Sequence, residues 1–75
     1  MSEEQAKYKT EADDHFDRLR AETTELRDRI TKLREFIKSD KFLEIDSSQQ
    51  ALLKIQSKAM DTYHYCLCAR LDLIE

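Results

Sequence analysis

Three arginines recur at a spacing of seven, Arg20, Arg27 and Arg34. Seven residues are two helical turns, so their guanidinium groups line one edge of a helix. Three and four residues away, Arg20 finds an acid in Asp17. Arg27 meets only Thr23, Thr24, Ile30 and Thr31, and Arg34 only Ile30, Thr31, Ile37 and Lys38. A planar guanidinium without a partner on its own helix is suited to a carboxylate or a phosphate. The run Tyr63-His64-Tyr65 adds aromatic rings, which can stack a base. Arg27, Arg34 and Tyr65 are therefore the first candidates to hold an anionic ligand such as a nucleotide phosphate, with Arg20 and His64 beside them. The plainer alternative gives the arginines water or an acid across an interface, either Asp61 or the acidic N-terminal segment of a second chain.

Catalysis and metal binding find little support. His15 and His64 have no metal-ligand spacing around them, and Asp61, three before His64, is an ordinary surface partner. Cys66 and Cys68 are two apart, project to nearly opposite sides of a helix and cannot bridge each other there. Nothing electropositive is placed to activate either thiol, so both read as small packing residues. The sequence predicts a binding protein and not an enzyme, with no metal and no cofactor.

The elements that position these groups follow from composition and period. Seventy-five residues contain no Gly and no Pro, and 39% are charged. Sheet proteins of this size need tight turns that usually take Gly, so the chain falls in the long-helix class. Net charge is −3, which argues weakly against general nucleic-acid binding. Residues 1–17 hold six acids and two bases, 18–41 eight bases and five acids, and 42–75 five acids and three bases. A DNA-binding reading would need that basic middle exposed. No stretch approaches the ~20 apolar residues of a membrane span, and no apolar block follows the first Met.

Phe16, Leu19, Thr23, Leu26, Ile30, Leu33 and Ile37 are spaced 3,4,3,4,3,4, an a/d heptad seam. They predict one helix over about 3–38, opened by a capping box at Ser2–Gln5. Its first residues, 1–14, overhang the partner helix, as a frayed tail or as a reach to a neighbouring subunit. Thr23 is the one polar residue of the seam, either a register-fixing layer or a β-branched filler. A corner at 39–46 follows, where Phe42, Leu43 and Ile45 plug the end of the pair. Asp46 with Gln49 and Ser47 with Gln50 form overlapping capping boxes that start a second helix over about 47–73.

That second helix carries two apolar stripes. One is Leu52, Ile55, Ala59, Cys66, Ala69 and Leu73; the other is Leu53, Met60, Tyr63, Leu67, Leu71 and Ile74. The second covers the first helix in an antiparallel hairpin whose facing residue numbers sum to about 90. The first stripe is then the interface left for another subunit, because wetting it forfeits roughly 1.5–3 kcal/mol per large side chain. The expected fold is all-α, a single antiparallel helical hairpin that assembles as a homo-oligomer.

The stretch Leu26-xx-Arg29-Ile30-xx-Leu33-xx-Phe36-Ile37-x-Ser39-xx-Phe42, then Leu52-Leu53-xx-Gln56-xxx-Met60-xx-Tyr63 and Leu67-xx-Arg70-Leu71, resembles the crAss-phage-related small-protein family. The resemblance covers about two-thirds of the chain and rests mostly on helical core spacing. It implies a helical hairpin of bacteriophage origin in the host bacterial cytoplasm, and carries over no site residues. By analogy with other small phage proteins, it implies an antagonist of host defence. Such a protein either sequesters a small anionic signal, a cyclic nucleotide, or docks on a defence protein. The rival expectation is a structural or adaptor oligomer with no small-molecule ligand.

Overall fold

A computed structural model describes residues 11–74 of the chain. Helix α1 spans Glu11–Ile37 and helix α2 spans Ser47–Ile74, joined by a 3-10 turn at Asp40–Glu44. The capping box at Ser2–Gln5, and the expected overhang up to residue 10, lie outside the described residues. The all-α hairpin expected from the period is the fold observed.

The corner turns without glycine because it never needs a left-handed residue. Among the described residues none has a positive φ. Instead Ser39 and Ile45, on either side of the 3-10 turn, are both extended, with ψ of 160° and 163°. The Phe36 carbonyl at the end of α1 accepts twice from Ser39, from its backbone N–H at 3.0 Å and from its hydroxyl at 2.6 Å. Phe42 is buried and meets Phe36 edge to face at 5.9 Å. Leu43, expected in the plug, is 73% exposed. A 3-10 turn repeats every three residues, so Phe42 and Ile45 share its inner side and Leu43 points away.

Asp46 starts α2. Its carboxylate accepts from the backbone N–H of Ser48 at 3.0 Å and of Gln49 at 3.4 Å. The side chain of Gln50, not that of Gln49, reaches back and donates to the Ile45 carbonyl at 3.0 Å. Cap and return bond together fix the angle at which α2 leaves the corner.

The two helices pack along one seam. Leu19, Leu26 and Ile30 of α1 bury against Leu67 of α2, with Met60 and Leu71 partly buried alongside. Two ties cross the pair: Arg34 Nη2 donates to Asp61 Oδ1 at 2.5 Å near the corner, and Arg70 Nη2 lies 3.5 Å from His15 Nε2 at the far end. They bracket the register read from the sequence. Tyr63 and Ile74, expected on the packed stripe, are 45% and 47% exposed. The inward line of α2 runs through Leu53, Ser57, Met60, His64, Leu67 and Leu71, all buried or half-buried. His64 takes the position expected for Tyr63, and one residue of rotation, about 100°, carries the tyrosine to the flank.

Thr23 donates to the Leu19 carbonyl at 2.7 Å, so its hydroxyl is satisfied within its own helix and the side chain fills the seam by shape. The hairpin is a rod of 56 × 23 × 15 Å. Its radius of gyration is 17.7 Å, against about 11 Å for a compact chain of this length. One layer of contact is all that two helices provide.

Candidate functional site

A cleft of about 270 Å³ opens at the corner end, between the last turn of α1 and the second and third turns of α2. Arg34 and Ile37 line it from α1, Lys38 from just past the end of α1, and Lys54, Ser57 and Lys58 from α2. Lys38, whose N–H donates to the Arg34 carbonyl at 3.2 Å, lies one turn beyond Arg34, as Lys58 lies one turn beyond Lys54. Each is therefore a like-charged pair on adjacent turns, which destabilises an isolated helix by roughly 0.2–0.5 kcal/mol. The hairpin then sets the two pairs against the same opening. Four basic residues line this small opening, and its surface is almost wholly apolar, so Ile37 and their aliphatic stems form the wall while their charged heads stand around it.

Local packing holds these groups in place. Lys54 Nζ stands 5.8 Å from the centroid of the buried Phe42 ring, so the corner anchors its stem while the ammonium stays wet. Arg34 is held by Asp61, and both side chains remain substantially exposed, at 54% and 37%. That pair leaves the cleft rim with one carboxylate against four cations. Ser57 is half-buried and adds a hydroxyl to the wall.

Of the candidate ligand residues, only Arg34 lines the cleft. Arg27 is exposed two turns further along α1, and among the described residues its guanidinium makes no ion pair or hydrogen bond. Arg20 lies over the Phe16 ring at 5.8 Å. His64 turns into the hairpin, with both ring nitrogens within 3.9 Å of Cys68 Sγ. Tyr65 is 72% exposed on the opposite side of α2 from the packed seam. The single hairpin does not gather Arg20, Arg27, His64 and Tyr65 into one site.

Lys38, Lys54 and Lys58 went unread in the sequence. The test applied to the arginines would have found Lys54, whose neighbours three and four residues away, Gln50, Ala51, Ser57 and Lys58, include no acid. The stripe reserved for another subunit is on the surface: Leu52, Ile55, Ala59, Cys66 and Leu73 are exposed and Ala69 is half-buried. Cys66 and Cys68 are both free thiols. Among the described residues no three His, Cys, Asp or Glu gather as a metal site. No helix among them is long and apolar enough to cross a membrane.

A comparison with curated proteins finds no match, and a comparison with solved structures finds none either. A family model does match, over residues 13–73, which takes in both helices, the corner and every residue of the basic cleft. The chain belongs to the Sequestin family.

Proposed function

We propose that this protein is a non-catalytic sequestering protein that holds a small anionic ligand, of the cyclic nucleotide class, in the basic cleft at the corner of the hairpin. The observation that carries this reading is that Arg34, Lys38, Lys54 and Lys58 all line one opening whose apolar wall is Ile37 and their own stems. Cations at a rim with an apolar wall suit a ligand that is part phosphate and part ring. The family's name, Sequestin, agrees with a role in withholding a ligand. Binding of this kind needs no turnover, because stoichiometric capture lowers the free concentration of the signal. The resemblance to small phage-encoded hairpins gives the setting: a phage protein, in the host bacterial cytoplasm, that blunts a nucleotide-signalled defence.

The test is thermal unfolding with a panel of cyclic mono- and dinucleotides at low ionic strength. Ligand at a hundred times its Kd adds about 2.7 kcal/mol. For a domain of this size that raises Tm by roughly 10–20 °C. Raised salt should shrink the shift, because the rim is open to solvent. No shift with any member of the panel would discard the sequestering reading.

A second reading has its own observation. Arg34 is paired with Asp61 across the hairpin, as an arginine with a structural role would be. On that view the chain is an adaptor or structural oligomer, or docks on a host defence protein, and the cations face an acidic partner. Nucleotide-independent retention on that partner, with an unchanged Tm across the panel, would favour it.

A further inference from the structure

Helix α2 carries a second heptad seam that nothing in the hairpin covers. Leu52, Ile55, Ala59, Thr62, Cys66, Ala69 and Leu73 are spaced 3,4,3,4,3,4. They lie about 150° around α2 from the line that packs on α1. Leu52 is 59% exposed, Ile55 64% and Leu73 88%. The large side chains stand at the two ends of this seam and the small ones in its middle. Such a profile is complementary to itself when reversed. An antiparallel pairing packs each a-type position against a d-type one, and with residue numbers summing to about 121 it sets Leu52 against Ala69, Ile55 against Cys66, and Ala59 against Thr62. A parallel pairing would stack Ile55 on Ile55 and leave a gap at Ala69 against Ala69. Antiparallel helices also oppose their dipoles favourably.

The flanks of the seam agree in charge. Lys58, Tyr65 and Asp72 border one side of the seam, and Gln56, Tyr63 and Arg70 the other. Antiparallel helices bring like flanks together, and in this register no two charges of the same sign meet.

We infer that a second copy of this chain packs antiparallel on the Leu52–Leu73 seam, α2 against α2, and brings its Tyr65 to the Lys58 edge of the basic cleft. Lys58 belongs to both features, one rim of the cleft and one flank of the seam. Within one chain, Tyr65 sits two turns, about 10 Å, beyond Lys58. Across the pair the register sets the second copy's Tyr65 opposite Lys58, where a phenol ring walls the cleft and can stack a base. The aromatic part rests on the cleft being the ligand site; the pairing does not.

The pairing is tested by thiol cross-linking in the full chain, with Cys68→Ser removing the second thiol. Ile55→Cys in that background should bridge to the second copy's native Cys66 and give a covalent dimer on oxidation. Cys68→Ser alone should not bridge, since an antiparallel pair holds the two Cys66 residues about 16 Å apart. Bridging through Cys66 alone would mean a parallel pair and overturn the proposal, as would wild-type protein sedimenting as one subunit at micromolar concentration. Ala59→Glu should give a monomer that keeps its helical circular dichroism.

The aromatic wall is tested with a cyclic dinucleotide and inorganic pyrophosphate as probes. Tyr65→Ala should weaken the dinucleotide about tenfold and leave pyrophosphate unchanged. On the Ala59→Glu monomer the same change should have no effect. A full tenfold loss in that monomer would show that each chain uses its own Tyr65, against the proposal. If the wild type binds neither probe, the cleft reading and the aromatic wall fall together, while the cross-link still decides the pairing.

Discussion

Lys54 and Lys58 are four residues apart on one helix and line the cleft with Arg34 and Lys38, so a charge change here moves binding far more than stability. Lys54→Glu replaces a like-charged neighbour of Lys58 with an opposite one. The new pair contributes roughly 0.2–0.5 kcal/mol, the lost contact with the Phe42 ring costs about 0.5–1 kcal/mol, and the ligand-free stability should change by less than ~1 kcal/mol. The same change should abolish the nucleotide-induced rise in Tm. Thermal unfolding with and without ligand reads both effects, and a variant that retained the full ligand shift would remove Lys54 from the site. Asp61→Asn is the converse. It removes an exposed ion pair with Arg34, for which a loss of at most ~1 kcal/mol is expected. It also leaves the rim with four cations and no carboxylate, so anion affinity should rise, which calorimetric titration would measure. At this scale the sequence showed which arginines lacked partners on their own helix. It could not show what they meet across the hairpin: Arg34 found Asp61 and the cleft, while Arg27 found neither. The lysines escaped because each looks like a solvated surface residue until the second helix folds back.

At the scale of the elements the seams did most of the work. A run spaced 3,4,3,4 from Phe16 to Ile37, and capping residues at Asp46–Gln50, fixed both helices and the corner between them. The misreadings were rotations of a single residue. Tyr63 was placed inward where His64 sits, and Leu43 was placed in a plug that Phe42 and Ile45 complete. On a helix with two apolar stripes, hydrophobicity alone does not say where one ends and the next begins. The half-buried Ser57 and His64, both small enough or polar enough to be overlooked, mark the true inner line. The corner offers a sharp test. Asp46 is the cap of α2, and its carboxylate satisfies two orphan N–H groups. Asp46→Ala should cost about 1 kcal/mol. In a domain this short, that lowers Tm by about 4–8 °C. Asp46→Asn should restore most of it, since an amide oxygen caps almost as well.

The whole molecule poses a problem of size. Among the described residues Leu19, Leu26, Ile30, Phe42 and Leu67 are the buried apolar side chains, and only Leu67 is fully buried. Below about 70–80 residues one core rarely supplies more than ~3–5 kcal/mol, and a rod with a single contact layer stands at the low end. Covering the Leu52–Leu73 seam with a second copy removes apolar area on both chains and couples folding to association. The melting temperature must then depend on protein concentration, because dilution favours the separated, unfolded chains. A tenfold increase in concentration contributes about 1.4 kcal/mol to the pair. Spread over the unfolding entropy of two chains, that is a rise of about 4 °C in Tm. Ala59→Glu, which puts a charge into the middle of the seam, should melt lower and lose the dependence. A wild-type Tm constant across two decades of concentration would mean that the hairpin stands alone, and that its exposed leucines serve some other surface.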